Sequence, residues 1–253
     1  MSLRKLLIFG LAALTLLSCD AEKEEISNPE SIDEIIESTK DMKEHSKKIK
    51  EELEEWKSQD SEESLVYYKK GDDFYKDGNL RGAIDSWQEA IKLNPELEKE
   101  LNEKSSDAYF NLGHSYHQNN ELDHAILAYK NSLELNENHK AHNNLGVALM
   151  MKGGFYGGYT IDHVDQNVKP FFANAYKSIP SDHYDLYLVE AAIAHFDNAV
   201  KCNKYYALSY YNRALANKDA GFANAAVSDL EKVIELRAEW SKEARDLINN
   251  IKK

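Results

Sequence analysis

The sequence contains few of the residues that form turns between strands, and few of the cysteines that cross-link small domains. Its 253 residues include only 11 Gly, 4 Pro and 2 Cys, which disfavours a turn-rich β fold and excludes a disulfide framework. Positive charge is also scarce, because 31 Lys and Arg stand against 44 Asp and Glu, for a net charge of -13. Nucleic-acid binding depends on clustered cations, so we expect no nucleic-acid partner and an all-α chain.

Long apolar runs are lacking except at the N-terminus. There, Arg4 and Lys5 precede the apolar run Leu6–Leu17, and a small residue, Ser18, follows it. Twelve residues are too few to span a bilayer, which needs about 20. A short positive segment, a short apolar segment and a small residue are typical of a signal peptide. We therefore predict that residues 1–18 are removed from the mature chain.

The residues at the predicted cleavage site resemble a bacterial lipobox. The stretch Leu16–Cys19 ends on the cysteine that such a motif acylates, so the resemblance implies lipid attachment, with palmitate among the acyl chains, at Cys19. Several acyl chains anchor a protein stably, whereas one alone binds a membrane weakly. The resemblance implies a chain anchored in the bacterial cell envelope, on the periplasmic face or the cell surface. There are two alternatives. The protein could be secreted without a lipid, with the cysteine present by chance, or the start of translation could be assigned too far upstream.

Residues 19–63 are predicted to form an acidic tether that contains an amphipathic helix. Between Asp20 and Ser64 there are 17 acidic and 7 basic residues. Apolar or small side chains recur there at alternating spacings of three and four, which indicates one face of a helix. They are Ile32, Ile35, Thr39, Met42, Ser46, Ile49, Leu53 and Trp56. A single helix and a weak coiled-coil dimer both fit this stripe, so the oligomeric state stays open.

A pattern of small and large residues recurs from Ser64 onward. A small residue precedes an alanine by 12 positions three times, and a fourth time with extra sequence between the two. These pairs are Gly71 and Ala83, Gly113 and Ala125, Ala214 and Ala226, and Gly146 and Ala192. A large side chain follows each alanine at four residues, namely Trp87, Tyr129, Leu230 and Phe196. Helices approach closely only where side chains are small, so the spacing predicts repeated antiparallel helix pairs.

These positions resemble the tetratricopeptide repeat, a helix–turn–helix unit of about 34 residues. The resemblance implies an all-α solenoid, with a right-handed superhelix, over residues 64–240. Its repeats would be 64–97, 106–139, 139–206 with an insertion at about 153–185, and 207–240. Gly78, Asn120 and Gly221 fall where the first helices must end in a left-handed residue. An apolar stripe in residues 241–253 predicts a capping helix.

The first helices of this family line a groove that holds an extended peptide or a partner's helix. The family frame therefore implies a peptide or partner groove formed by Tyr68, Asp72, Tyr75, Phe110, Asn111, His114, His117, Lys140, Asn143, Asn144, Tyr211 and Asn212. Within it, Asn111, Asn144 and Asn212 form a ladder of carboxamides that could read a peptide backbone. One subfamily clamps a peptide's terminal carboxylate, and we reject that function here because Asp72 would repel it.

The sequence shows no set of residues that we interpret as catalytic, metal-binding or cofactor-binding. His114 and His117, and likewise His139 and His142, are spaced so that they could chelate a metal from one helix face. We interpret the first pair as solvated groove histidines because no carboxylate or cysteine stands near it in sequence. Cys202 is expected to be a small buried side chain.

The third repeat carries an insertion that its siblings lack. Its aromatic residues are predicted to form a contact surface for the partner. They are Phe155, Tyr156, Tyr159, Phe171, Phe172, Tyr176, Tyr184 and Tyr187. A degenerate fifth repeat and an enlarged private core are the alternatives. We expect Ser181 or Asp182 to cap the following helix, which would be about two turns longer than its siblings.

The resemblance as a whole implies a membrane-anchored, non-catalytic adaptor or assembly factor. Its partner would be another envelope protein or a peptide, and no cofactor is expected. The alternative is a receptor for a small ligand or a metal that uses the aromatic and histidine residues of the insertion.

Overall fold

A computed structural model of the chain describes residues 29–155 and 185–253. The chain divides into two compact units, Met1–Gln59 and Asp60–Lys253. The predicted signal peptide and Cys19 lie outside the described residues. Within the described ranges the regular secondary structure is helical and contains no strand, so the predicted all-α class is confirmed.

The first described helix, α1, runs from Pro29 to Lys76. It continues without a break through the polar residues 58–64, which are mostly Glu and Ser and so tolerate helix. Ser64 is buried, and its hydroxyl donates to the Ser61 carbonyl oxygen at 2.7 Å. The C-terminal part of α1 is the first helix of the first repeat and belongs to the second unit.

The other described helices form hairpins along the chain. They are α2 Leu80–Leu93, α3 Glu98–Gln118, α4 Leu122–Leu135, α5 His139–Lys152, α6 Leu186–Cys202, α7 Ala207–Asp219, α8 Ala223–Leu236 and α9 Ser241–Ile251. Helix α3 packs on α4, α5 on α6 and α7 on α8, and successive hairpins contact one another through α2 with α3, α4 with α5 and α6 with α7. This arrangement of helical hairpins is the predicted fold.

The turns inside three hairpins use a left-handed residue. Gly78 has φ 77°, Asn120 has φ 59° and Gly221 has φ 84°. Glycine has no Cβ to clash in this conformation, and asparagine tolerates it. The predicted left-handed residues are confirmed, and each lets the chain reverse within a few residues.

Small residues lie where the helices of a hairpin cross. A Cβ atom on Gly71, Gly113 or Gly146 would lie 2.4 to 2.7 Å from the ring of Trp87, Tyr129 or Phe196, respectively. All three rings are buried. The close approach predicted from the spacing is therefore confirmed in three hairpins.

Helix α6 is shorter than predicted. It begins at Leu186, and the Asp185 carboxylate accepts hydrogen bonds from the backbone N–H groups of Tyr187 and Leu188 at 3.0 and 3.3 Å. At 17 residues it exceeds α4, with 14, by less than one turn. The prediction of a cap at Ser181 or Asp182 and of two extra turns is wrong, because Asp185 already satisfies the first N–H donors.

Helix α9 covers the last hairpin. Ala244 and Ile248 are buried against a cluster that includes Leu230 and Val233 of α8. Its outer face is charged, as expected for the end of a helical stack. Among the helices of residues 29–155 and 185–253, none is both long and apolar enough to cross a membrane.

Candidate partner-binding groove

An open cleft of about 280 Å³ lies between the first two hairpins. Side chains of α1, α2 and α3 line it, namely Asp72, Tyr75, Lys76, Trp87, Lys104 and Asp107. Two of these, Asp72 and Tyr75, were predicted as groove residues. We call this cleft the α1–α3 groove.

An ion pair crosses the α1–α3 groove. Lys104 Nζ lies 2.9 and 3.1 Å from the two carboxylate oxygens of Asp72, and it donates to the Tyr68 hydroxyl at 2.7 Å. The Trp87 indole N–H also donates to Asp72, at 3.1 Å. Burial alone would lower the pKa of Lys104, but its hydrogen bonds to Tyr68 and Asp72 raise that pKa above its ordinary value. The ammonium group therefore stays charged at neutral pH and balances Asp72.

This pairing weakens the argument that Asp72 repels an incoming carboxylate. The expected repulsion assumed an isolated negative charge, whereas the structure pairs Asp72 with a cation in direct contact. The ammonium group also lies 4.3 Å from the centre of the Tyr68 ring. The first repeat thus presents a nearly neutral surface with aromatic edges.

Two polar groups continue the α1–α3 groove along α3. Asn111 donates its side-chain N–H to the Tyr75 hydroxyl at 2.8 Å. Burial, and then the negative charge of Glu103, raise the pKa of the Asp107 carboxyl. A hydrogen-bond donor on a bound partner would stabilise the charged form of that partly desolvated carboxylate. Asp107 is therefore suited to accept a hydrogen bond from a partner.

The asparagine ladder is mostly inside the protein. Asn143, Asn144 and Asn212 have no exposed surface. Asn143 Oδ1 accepts from Asn212 Nδ2 at 2.9 Å and from the Ser209 hydroxyl at 3.3 Å, and Asn143 Nδ2 donates to Asn144 Oδ1 at 3.2 Å. These bonds join α5 to α7. The structure thus corrects the expected exposure of this ladder, since a peptide cannot reach these amides without displacing a helix.

Comparison with protein families supports the assignment of the repeats. Residues 64–97 and 106–139 each match the family described as tetratricopeptide repeat. The chain is a tetratricopeptide repeat protein. The two matched ranges are the first two frames predicted from the spacing of small and large residues. Proteins built from this repeat mediate protein–protein interactions, peptide binding among them.

Solved structures similar to this tetratricopeptide repeat protein have low sequence identity to it. The crystal structure of MamA shares 20% identity over 75% of this chain and 86% of MamA, with a TM-score of 0.43. A tetratricopeptide repeat protein from Parabacteroides merdae shares 15% over 76% of this chain and 60% of that one, with a TM-score of 0.46. The first TPR of Spaghetti (RPAP3), bound to the HSP90 peptide SRMEEVD, shares 18% over 59% and 94%, with a TM-score of 0.43. A comparison with curated proteins finds no match.

The remaining groove positions differ in their accessibility. Phe110 and Tyr211 are buried, as is His117, whose Nε2 lies 3.1 Å from Met151 Sδ of α5. His114 and Lys140 are half-buried. The accessible part of the predicted groove is therefore concentrated in α1 and α3 of this tetratricopeptide repeat protein.

A second polar cluster lies at the third hairpin. His142 Nε2 lies 2.8 Å from Glu137 Oε2, and the Cys202 sulfur lies 3.9 Å from the same oxygen. His142 Nδ1 lies 3.0 Å from His195 Nδ1. Cys202 is exposed, so the prediction of a buried side chain is wrong, because Cys202 is the last residue of α6, on its outer end. Burial, followed by the nearby His142 and Lys130, lowers the pKa of His195 to about 4.

The predicted insertion surface is described only at its two ends. Phe155 is half-buried and packs against the central core cluster, so it contributes to the core. Tyr187 is exposed at the start of α6. The other predicted members, Tyr156, Tyr159, Phe171, Phe172, Tyr176 and Tyr184, lie outside the described residues.

Sequence reasoning missed four lining residues of the α1–α3 groove, and two of these, Lys104 and Asp107, lie on α3; the other two are Lys76 and Trp87. Lys104 precedes the repeat frame, which begins at residue 106, and Asp107 is only its second residue, so the frame assigns no helix turn ahead of them. Helix α3 instead begins at Glu98 and is 21 residues long. Extending the helical spacing backward from Asn111 by four and seven residues reaches Asp107 and Lys104. That periodicity was the available signal.

A second cleft, of about 360 Å³, lies between α2, α3 and α4. Its lining includes Arg81, Tyr109, Tyr116, His124 and Leu127. Arg81 donates to the Tyr116 hydroxyl, and Leu127 is exposed. This cleft is formed largely by second helices, so it offers a comparison surface for tests of the α1–α3 groove.

Proposed function

We propose that this chain is a lipid-anchored tetratricopeptide repeat protein of the bacterial cell envelope that acts as a non-catalytic adaptor. Its partner is another envelope protein or a peptide that such a protein presents. The observation that carries the proposal is the α1–α3 groove, which is open, lined by charged side chains around the Tyr75 ring, and formed beside the two family-matched repeats.

The chemistry of the groove suits a peptide with an apolar side chain and a polar backbone. Tyr75 is half-buried and offers ring surface, while the buried Trp87 ring packs behind it with the ring centres 5.7 Å apart. Aromatic side chains bury a large area with little loss of rotamer freedom. Asp107 and Asn111 stand beside them as polar partners for backbone groups. The Lys104–Asp72 pair keeps the local charge balanced, so the groove does not demand a strongly charged ligand.

Lipid attachment rests on the lipobox-like sequence that ends at Cys19. Growth of the bacterium with radiolabelled or clickable palmitate should label the wild-type chain and leave Cys19→Ala unlabelled. The wild-type chain should also partition into the detergent phase. Equal labelling of the wild-type and Cys19→Ala chains would contradict lipid attachment at Cys19.

The partner-binding function can be tested by crosslinking in cells. A photoreactive phenylalanine analogue in place of Tyr75 points into the α1–α3 groove, and the same analogue in place of Leu127 marks the second cleft. We expect a discrete crosslinked partner from position 75. Asp107→Lys in the same chain should abolish it, because the substitution replaces an accessible acceptor that lines the groove with a cation.

The control position decides between the two surfaces. Capture at position 127 but not at 75 would contradict the proposed groove and assign binding to the second cleft. If position 75 still captures the partner in the Asp107→Lys chain, the partner binds near position 75 but does not depend on the polar side chains of α3.

A further inference from the structure

Three metal-ligating side chains converge at the end of the third hairpin. Glu137 lies in the connection between α4 and α5, His142 in the first turn of α5, and Cys202 at the last position of α6. One carboxylate oxygen, one ring nitrogen and the sulfur of these residues all lie within 4.8 Å of one another. Since 60 residues separate His142 from Cys202 in the sequence, the fold creates this cluster.

We propose that Glu137, His142 and Cys202 bind a transition-metal dication of the zinc class, with a fourth position open to water or to a partner's ligand. Thiolate, imidazole and carboxylate are the ligand types that this class prefers. Three protein ligands from separate elements leave a tetrahedral ion one position short, which is the arrangement of an open site.

The distances require only small movements. Around a tetrahedral ion with bonds of 2.0–2.3 Å, nitrogen and oxygen ligands lie about 3.4 Å apart, and sulfur and oxygen about 3.6 Å apart. The structure has 2.8 Å between His142 Nε2 and Glu137 Oε2, and 3.9 Å between that oxygen and Cys202 Sγ. All three ligand atoms lie within 4.8 Å of one another, and Glu137 and Cys202 are exposed, so rotation of their side chains can supply the movement of about 1 Å or less that the site needs. His142 is buried and provides a fixed direction.

His195 of α6 can hold His142 in the binding orientation. Their Nδ1 atoms lie 3.0 Å apart, so one ring donates and the other accepts. When a metal occupies His142 Nε2, the hydrogen of His142 moves to Nδ1 and donates to His195 Nδ1. Metal-bound histidines in proteins commonly make such a bond through their second nitrogen. His195 is thus a positioning residue.

The charges balance when the metal binds. The Cys202 thiol loses its proton to solvent as the sulfur–metal bond forms, and the Glu137 carboxylate supplies the second negative charge. Cys202 lies at the C-terminal end of α6, where the helix dipole favours a cation. The bound ion would join the start of α5 to the end of α6, the two helices separated by the long insertion. Binding should therefore stabilise this hairpin.

Cobalt(II) is a suitable probe because a thiolate–cobalt bond gives a charge-transfer band in the near ultraviolet. The purified full chain, reduced and freed of metal, should develop this band with one equivalent of cobalt, and zinc should displace it. Metal at about 100 times its dissociation constant should raise the melting temperature by several degrees. Cys202→Ser should lose the band, and Glu137→Gln should bind at least ten times more weakly.

Matched variants make the result decisive. Cys19→Ala tests the other thiol, and Glu134→Gln removes an exposed carboxylate at the end of the neighbouring helix α4; both should bind as wild type does. His195→Gln should weaken binding about 10- to 100-fold without removing the band, the effect expected of a group that only orients a ligand. Absence of the band, or a band that survives Cys202→Ser and is lost in Cys19→Ala, would overturn the proposal. The substituted side chains of Cys202 and Glu137 are exposed, so their variants should fold.

Discussion

Gly113 lies where α3 crosses α4, directly against the buried ring of Tyr129. A Cβ atom there would lie 2.7 Å from two ring carbons, closer than packed atoms allow. Gly113→Ala should therefore destabilise the protein by about 1–3 kcal/mol, although alanine normally stabilises a helix relative to glycine. Ser115→Ala, at an exposed position of α3, controls for helix propensity. Urea unfolding measures both, and a stabilised Gly113→Ala chain would show that the ring has room to move.

Asp107 gives the α1–α3 groove a pH dependence whose sign can be worked out. Burial raises the pKa of its carboxyl above the value in an unfolded chain, so the folded state binds the proton more tightly. At pH values above this raised pKa the charged carboxylate costs stability, and the cost disappears as pH falls below about 3.8, the ordinary pKa.

Asp107→Asn should consequently be more stable than wild type at pH 7, by a fraction of a kcal/mol because the group is half exposed. The difference should shrink as the pH is lowered through the acid range. Parallel urea titrations of the two chains between pH 3 and pH 7 provide the measurement. A variant that is less stable at pH 7 would indicate that the carboxylate is held by a donor, contrary to the raised pKa.

At the scale of elements, Arg213 connects three helices. From α7 it donates to Asp229 of α8 at 2.6 and 2.9 Å and to Asp197 of α6 at 2.7 Å. The hydrogen bonds to Asp229 are the main reason that the pKa of Arg213 is raised, although burial alone would lower it. The Asp229 side chain is only 8% exposed, so it depends on this cation.

Arg213→Met should cost about 3–5 kcal/mol, because it leaves Asp229 as a buried charge without its cation. The double variant Arg213→Met with Asp229→Leu should recover much of that loss, since it removes the stranded carboxylate too. Arg245→Met, at an exposed arginine of α9, is the control and should change little. Thermal or urea unfolding of the four chains gives the comparison, and a loss below 1 kcal/mol in the single variant would contradict the role assigned to this pair.

The sequence predicts those features of the elements that depend on spacing within one hairpin. The close approach of Gly71 to Trp87 and the left-handed Asn120 follow from local periodicity and backbone sterics. The early start of α3 could not be obtained from the repeat frame, because the helix extends beyond the 34-residue unit. The burial of Asn143 depends on how α5 meets α7, and helix periodicity carries no information about that contact. The same holds for Glu137 and Cys202, which only the tertiary fold brings together.

At the scale of the whole molecule, the core of the described chain lies in the second compact unit. All three clusters of buried apolar side chains draw their members from Tyr67 to Ile251. In a stack of repeats, stability is the sum of the repeats and their nearest-neighbour contacts. The second unit should therefore fold alone.

A chain that begins at Asp60 should melt within about 4 °C of the full chain, which corresponds to about 1 kcal/mol for a domain of this size. When the purified chains are added to detergent extracts of the envelope, the truncated chain should also keep the crosslink from position 75, because every lining residue of the α1–α3 groove is retained. The contrasting truncation ends at Tyr206 and removes α7, α8 and α9. It deletes the cluster around Leu230 and exposes the apolar face of α6, so it should melt at least 10 °C lower or aggregate. Thermal unfolding of the three chains, followed by circular dichroism, gives the melting temperatures to compare. A large loss in the chain that begins at Asp60 would mean that residues 1–59 stabilise the repeats, and the acidic segment could then no longer be regarded as a tether.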